Sequence, residues 1–204
     1  TTVRRQWPMR YTIGVVPLTF GVIVLCGMAT FATRFGENAG LVEALTLSRW
    51  QTTSGWIKKL LPEIRQGEVW RLITPCLLHL DPLHLVGNAL WFYILGRMMR
   101  FHLVRWRYGL ILVLVCVAAN CPDGLLVGPA FGGLSGVVCG LFGFVWCQTQ
   151  IRPEAGYQLS TESVVFFLGW NLLCLLGAVG NIANTAHVSG LVLGSLLAVP
   201  RWGA

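Results

Sequence analysis

The sequence predicts an all-α polytopic membrane protein, in which one domain, residues 1–204, forms a bundle of six transmembrane helices. Composition is the first observation behind this fold class: the 204 residues are 55% hydrophobic and only 11% charged. Their mean hydropathy is +0.66, which is unlike an ordinary soluble domain. The second observation is that the apolar residues fall into six separate runs, each bounded by polar or basic residues.

The six predicted spans are joined by short connections except at one long segment. They cover about residues 11–31, 83–101, 108–120, 135–150, 164–179 and 187–200. Pro122 and Gly124 predict that the third span ends near Asn120 and that a connector follows it. The long segment, residues 34–81, mixes tryptophans with charged residues, a composition typical of chain that lies in the membrane interface. A solvated loop with scattered tryptophans is the alternative for this segment.

The basic residues predict how the spans are oriented. The chain has 15 Lys and Arg residues against 8 Asp and Glu residues, an excess that also occurs in nucleic-acid-binding proteins. Here the basic residues cluster at span ends, so orientation in a bilayer explains them better. Six spans place both termini and the 97–107 and 148–162 loops on one side, which the basic clusters identify as cytoplasmic. We therefore expect a multi-pass protein whose partner is the lipid bilayer, with no nucleic acid.

Cysteine and histidine spacing gives no sign of a metal or a disulfide framework. The seven cysteines lie mostly inside apolar runs and show no paired C-x-x-C spacing, so free buried thiols are expected. There is no H-E-x-x-H sequence for a zinc mechanism. We expect no metal and no cofactor, and we place His79 and His102 at the membrane interface without a role.

Four polar side chains fall within or at the start of predicted spans, where polar groups are costly and usually functional. His84 and Asn88 share one face of the second span because they are four residues apart, Ser135 begins the fourth span, and His187 begins the sixth. At about 1.5 Å per helical residue, each of these spans extends roughly 20 Å from its histidine or serine to its polar end. Because the three spans run in the same direction, the side chains are predicted to meet on the order of 10 Å below the outer surface.

These residue types fit nucleophilic catalysis. A serine hydroxyl attacks efficiently only when a nearby base takes its proton, and histidine is the usual base near neutral pH. His187 is the candidate base for Ser135, while Asn88, His84 and the Ser135 backbone N–H are candidate donors to an oxyanion. No Asp or Glu falls inside a span, so the sequence predicts a Ser–His dyad rather than a triad.

Glycines surround this predicted site. Gly133 precedes Ser135 and Gly136 follows it, while Gly190 and Gly194 lie one and two turns beyond His187. Missing side chains let two helices approach closely. These four glycines are therefore predicted to pack the fourth span directly against the sixth.

Four motifs together resemble those of a known family. They are Trp70-Arg71 in the first loop, His84-x-x-x-Asn88, Gly133-Leu134-Ser135-Gly136, and Ala186-His187-x-x-Gly190-x-x-x-Gly194. With them the chain resembles the rhomboid intramembrane serine proteases, and most of all their compact six-span bacterial type. The resemblance implies Ser135 as nucleophile, His187 as base, and His84 and Asn88 in the oxyanion hole. It also implies a first loop partly embedded in the membrane, a bacterial inner-membrane location, and cleavage within or near the transmembrane helix of a membrane-protein substrate.

One residue departs from the family pattern, and two other classes of function remain open. The family often has an aromatic residue four positions after the serine, where this chain has Cys139; we expect its thiol to face His187. The first alternative is a catalytically inactive rhomboid-like protein that binds membrane clients, although such a protein would normally lack the serine or the histidine. A transporter or channel is the second, but it would have charged residues in its spans or interrupted helices in duplicated halves. The sequence predicts neither the oligomeric state nor the physiological substrate.

Overall fold

The computed structural model describes residues 16–49, 62–126, 132–178 and 183–200. Within these ranges the chain is all-helical, as predicted, with eight α-helices and no strand. The helices are α1 Pro17–Ala32, α2 Ala39–Leu45, α3 Pro62–Arg65, α4 Pro82–His102, α5 Arg105–Leu126, α6 Ser135–Ile151, α7 Thr161–Leu175 and α8 Asn184–Leu197.

Six of these helices, α1 and α4 to α8, correspond to the six predicted spans. The predicted connector directly after Asn120 is wrong, because α5 continues as a helix through Pro122 to Leu126. A proline removes the hydrogen bond to the carbonyl four residues earlier, yet the bonds on either side of it can carry the helix onward. Residues 11–15 of the first predicted span lie outside the described residues.

The six helices differ in length. α4 and α5 are the longest, with 21 and 22 residues, and α8 is the shortest of the six, with 14. In the part of the chain that the structure describes, no helix combines the length and the apolar character needed to cross a membrane.

The central helix of the fold is α6. Every residue from Gly136 to Val145 is buried. α6 packs most extensively on α8 and also contacts α4 and α5, while α5 packs on α8 as well. The first residue of α6, Ser135, is therefore positioned by neighbours on several sides.

The described residues between α1 and α4 pack around a buried arginine. Arg71 is only 2% exposed. Its Nε donates to Glu68 Oε2 over 2.6 Å, and its Nη1 donates to the carbonyls of Glu43 and Thr46 over 2.7 Å each. The hydrogen bond from Arg71, together with the guanidinium charge, holds the pKa of Glu68 below its usual value. Arg71 thus ties α2 to the 3₁₀ turn Val69–Leu72.

The tryptophans behind the interfacial prediction for this segment are only partly described. Trp70, beside Arg71, is 50% exposed. Trp50 and Trp56 lie outside the described residues. The interfacial position of residues 34–81 therefore stays a prediction.

The last part of this segment contacts α5 and the residues that lead into α6. Asn120 of α5 donates from Nδ2 to the Leu72 carbonyl over 2.8 Å. The backbone N–H of Gly133 donates to the Pro75 carbonyl over 3.0 Å. The loop before α4 therefore packs beside the N-terminus of α6.

Candidate active site

Ser135 and His187 are in hydrogen-bond contact between α6 and α8. The distance from His187 Nε2 to Ser135 Oγ is 2.8 Å. Ser135 is the first residue of α6 and His187 is the fourth residue of α8, so both lie at helix N-termini. His187 is 8% exposed. When Nε2 carries no proton, this geometry allows it to accept the proton of the serine hydroxyl.

The other ring nitrogen of His187 has no orienting partner in the described residues. Nδ1 is buried and makes no hydrogen bond within the described ranges. In a catalytic triad a carboxylate would occupy this place. The described part of the chain therefore presents a Ser–His pair without a third member.

Glycines bring the two helices close enough for this contact. A Cβ added to Gly190 would overlap the Gly136 carbonyl oxygen, and one added to Gly194 would overlap the carbonyl oxygen of Gly140. A Cβ on Gly136 would lie 3.0 Å from the Ala186 carbonyl oxygen, next to His187. The backbones of α6 and α8 thus touch directly, and any larger residue would push Ser135 and His187 apart.

Gly133 serves the site itself rather than the contact between α6 and α8. Its φ is +122°, a conformation that side-chain-bearing residues rarely adopt. A Cβ there would lie 2.8 Å from His84 Cε1, 3.1 Å from His84 Nε2 and 3.7 Å from Asn88 Nδ2. The imidazole of His84 and the carboxamide of Asn88 therefore stand directly against the backbone that leads into Ser135.

The start of α4 sets the positions of these two side chains. Asp81 caps the helix, since its carboxylate accepts the His84 backbone N–H over 2.9 Å, and Pro82 occupies the first turn. His84 is exposed and Asn88, one turn further on, is 8% exposed. The structure thus brings His84, Asn88, Ser135 and His187 together, although they come from three helices.

His79 is a further residue of this region, and the sequence did not predict its position. We expected it at the interface, but it is 1% exposed. Its Nε2 lies 3.1 Å from Asn88 Nδ2 and 3.3 Å from the Leu134 backbone nitrogen. Burial, with a smaller contribution from neighbouring His84, lowers the pKa of His79 to about 4, so the ring is neutral at physiological pH. The spacing of His79, five residues before His84, was the one sign in the sequence that it could lie near the site.

The thiol of Cys139 is directed to α7 and not, as we expected, to His187. Cys139 Sγ donates to Asn171 Oδ1 over 3.3 Å. Asn171 in turn donates from Nδ2 to the Phe167 carbonyl over 2.8 Å, within its own helix. Cys139 therefore links α6 to α7.

In the ranges that the structure covers, no three His, Cys, Asp or Glu side chains are arranged to hold a metal ion. The cysteines there are unpaired thiols.

Known proteins match the chain over most of its length. Residues 66–203 match the rhomboid domain. The rhomboid protease GlpG of Photorhabdus laumondii is 38% identical over 184 residues, which are 90% of this chain and 61% of that protein. The rhomboid protease GlpG of Yersinia pestis is 30% identical over 183 residues, or 89% of this chain and 62% of the relative. The chain thus spans about three fifths of the length of these curated relatives. It belongs to the rhomboid family.

Proposed function

We propose that the chain is an intramembrane serine protease, which hydrolyses peptide bonds within or near the transmembrane segments of membrane proteins. The observation that carries this proposal is the 2.8 Å contact between Ser135 Oγ and His187 Nε2. It joins a nucleophile to a base at the N-termini of two helices in direct backbone contact, in a chain that belongs to the rhomboid family.

The reaction follows from this pair. Ser135 Oγ attacks the carbonyl carbon of the scissile bond while its proton passes to His187 Nε2. Collapse of the tetrahedral intermediate breaks the C–N bond, and the imidazolium gives its proton to the leaving amine. Water, deprotonated by the same imidazole, then attacks the acyl ester, and the imidazolium returns its proton to Ser135 Oγ as the C–O bond breaks. The carboxylic acid product leaves and ionises in water.

Three donors are proposed to stabilise the oxyanion of the tetrahedral intermediate. They are Asn88 Nδ2, His84 Nε2 and the backbone N–H of Ser135. Ser135 is the first residue of α6, where the helix dipole favours negative charge and the N–H has no partner within the helix. Asn88 and His84 lie against Gly133, two residues before the nucleophile.

The outer surfaces of the helices support a membrane location. Large apolar side chains are exposed there, including Phe31 of α1 at 68%, Leu83 of α4 at 82% and Leu176 at the end of α7 at 71%. Broad exposed apolar surfaces indicate contact with lipid or protein. We propose that α1 and α4 to α8 lie in the bacterial inner membrane with the termini on the cytoplasmic side, and that the 34–81 loop is partly embedded.

The depth of the site leads to a proposal about substrates. A substrate helix has its carbonyls hydrogen-bonded, so it must unwind locally before Ser135 can attack. Substrates are therefore proposed to carry helix-weakening Gly, Pro or polar residues near the cleaved bond. Cleavage of such a substrate should slow when these residues are replaced with leucine.

A serine-directed fluorophosphonate tests the proposed function. The wild-type protein should be labelled and should cleave a transmembrane substrate in proteoliposomes, and Ser135→Ala should lose both. Ser189→Ala is a matched control on α8, since the Ser189 hydroxyl donates to the Thr185 carbonyl over 2.7 Å and has no part in the proposed mechanism. An unlabelled wild-type protein that binds a transmembrane client without cleaving it would instead indicate the catalytically inactive rhomboid-like protein.

A further inference from the structure

We propose that His79 is a positioning residue for the oxyanion site: it holds the carboxamide of Asn88 so that Nδ2, and not Oδ1, is presented beside Ser135. This proposal rests on the proposed function, because it assigns His79 a role in the same reaction. It follows from three hydrogen bonds of one buried ring: two fix its tautomer, and the third then fixes the orientation of Asn88.

The first two bonds determine which nitrogen of His79 carries the proton. Nδ1 lies 3.2 Å from the Leu77 carbonyl oxygen, and a carbonyl oxygen can only accept, so Nδ1 must donate. The backbone N–H of Leu134 donates to Nε2 over 3.3 Å, so Nε2 must accept. The two contacts independently require the same neutral tautomer, with the proton on Nδ1.

The third bond determines which end of the Asn88 carboxamide faces His79. Asn88 Nδ2 lies 3.1 Å from His79 Nε2, and because Nε2 accepts, the NH₂ end of the carboxamide must face it. The single lone pair of Nε2 is then shared between this donor and the Leu134 N–H as a bifurcated hydrogen bond. The opposite orientation would set the Oδ1 lone pairs against the lone pair of Nε2. Nδ2 has two protons, so one is given to His79 and the second is left for the oxyanion.

The position of Asn88 Nδ2 makes this orientation relevant to catalysis. It lies 3.7 Å from the point that a Cβ on Gly133 would occupy, beside the backbone that leads to Ser135. An amide with its oxygen turned to this place would repel the oxyanion that it is proposed to stabilise. A fixed donor, in contrast, needs no reorientation during the reaction.

The surroundings of His79 make the ring a rigid holder. It is 1% exposed, and its centroid lies 5.1 Å from that of His84 in an edge-to-face arrangement. Through Leu134 it also holds the residue just before Ser135. One ring thus contacts three parts of the proposed oxyanion site, namely Asn88, His84 and the start of α6.

Three substitutions separate the acceptor at Nε2 from the bulk of the ring. His79→Gln can place Oε1 where Nε2 lies and so keep an acceptor for Asn88 and Leu134. In His79→Asn the shorter side chain can replace Nδ1, which faces the Leu77 carbonyl, but not the acceptor at Nε2. His79→Phe keeps an aromatic ring but has no acceptor. We expect His79→Asn and His79→Phe to lower kcat on the order of 10²-fold with little change in KM, and His79→Gln to recover most of this loss.

A double-mutant cycle with Asn88→Ala tests whether His79 acts through Asn88. If it does, His79→Asn should cost far less turnover in the Asn88→Ala background than in the wild type. Thermal unfolding is measured for every variant to confirm folding, and His102→Asn, at the far end of α4, is the matched histidine control that should keep wild-type kcat.

The outcomes separate failure of this inference from failure of the proposed function. Losses that multiply in the double mutant would show that His79 only stabilises the loop, which overturns the inference and leaves the protease intact. Wild-type kcat in His79→Phe would overturn it in the same way. Wild-type turnover in Asn88→Ala would remove both the inference and the proposed role of Asn88. The proposed function is tested separately by fluorophosphonate labelling: labelling of the wild type that is lost in Ser135→Ala supports it, and an unlabelled wild type overturns it.

Discussion

Helices α8 and α7 both neighbour α6, but they contact it in different ways. α8 meets α6 backbone to backbone, because Gly190 and Gly194 oppose the carbonyls of Gly136 and Gly140. α7 meets it through side chains: Phe142 of α6 stacks on Phe167 with ring centroids 3.9 Å apart, and Cys139 donates to Asn171. Ser135 and His187, the proposed reacting pair, lie at the contact between α6 and α8.

α7 is also more exposed than a helix packed backbone to backbone would be. Val165 is 65% exposed and Phe166 is 59% exposed. Its Phe167 is held edge-to-face by Trp91 of α4, with centroids 5.2 Å apart, and a further link is the bond from Asn184 Nδ2 of α8 to the Cys174 carbonyl, over 3.2 Å. Side chains can change rotamer without moving a backbone, whereas two backbones in contact cannot adjust independently.

This contrast explains how a pair without a third member can keep its geometry. His187 has no carboxylate to orient it within the described ranges, so its position depends on the placement of α8 against α6. Catalytic groups must be held to within a fraction of an ångström of the productive geometry. The glycine contact between α6 and α8 supplies this precision, and α7 takes no part in that contact.

The largest expected effect comes from the pair across the α6–α8 contact. Ser135→Ala and His187→Ala should each lower kcat on the order of 10⁴-fold or more, and the double mutant should lose no more than either one. The reason is that the nucleophile and its base act as a unit. Turnover of a transmembrane substrate in proteoliposomes measures this, and independent losses that multiply would show that the contact is not catalytic.

The α4 side of the site should show the next largest effect. Asn88→Ala and His84→Ala should each lower kcat about 10²- to 10³-fold, the scale of losing one oxyanion donor, while KM changes less. Gln150→Ala is a suitable control, since Gln150 is exposed near the other end of α6. If KM rises while kcat is unchanged, these residues bind substrate and do not stabilise the transition state.

Apolar runs in the sequence predicted the six long helices, and matching depths along three of them predicted that Ser135, His187, His84 and Asn88 lie near one another. Apolar runs mark helices, and polar residues at matching depths mark a shared level. The structure places Ser135 and His187 2.8 Å apart, a distance that no spacing rule could supply.

His79 and Cys139 show what the sequence could not supply. The role of His79 depends on a loop that returns to the start of α6, where Pro75 accepts the Gly133 N–H. For Cys139, helical periodicity predicted that it shares a face of α6 with Ser135, but not that this position faces α7. Both depend on contacts between residues distant in sequence, and periodicity carries no information about them. The continuation of α5 past Pro122 was missed because a proline is a frequent helix terminator and not an obligatory one.

Paired glycine substitutions compare the two neighbours of α6 directly. Gly194→Ala should lower the free energy of unfolding by about 1–3 kcal/mol, because its Cβ would overlap the Gly140 carbonyl and force two backbones apart. Gly169→Ala in α7 is the matched control: a Cβ there has nothing within 4 Å, so stability should stay the same or rise by up to about 1 kcal/mol. Reversible unfolding in mixed micelles measures both. Equal losses at the two positions would mean that α7 is packed as tightly as α8.

The smallest expected effect concerns the bond between Cys139 and Asn171. Cys139→Ala removes the donor, and Asn171→Leu removes the acceptor while keeping a side chain of similar size. Hydrogen bonds between membrane helices average about 0.6 kcal/mol in double-mutant cycles, roughly a threefold change in an equilibrium constant. We expect each variant to lose about this much stability, and the double mutant to lose little more than either single mutant.

Measuring kcat shows whether the bond between Cys139 and Asn171 affects catalysis. Because the Cys139 thiol donates to Asn171 and the reacting pair is held by α8, neither substitution should change kcat by more than about threefold. Cys147→Ala, two turns further along α6 and half-buried, is the matched cysteine control. A kcat in Cys139→Ala as low as that of Asn88→Ala, with unchanged unfolding, would show that Cys139 orients His187 after all. The catalytic geometry would then depend on α7 as well as on α8, and the distinction between the two helices would not hold.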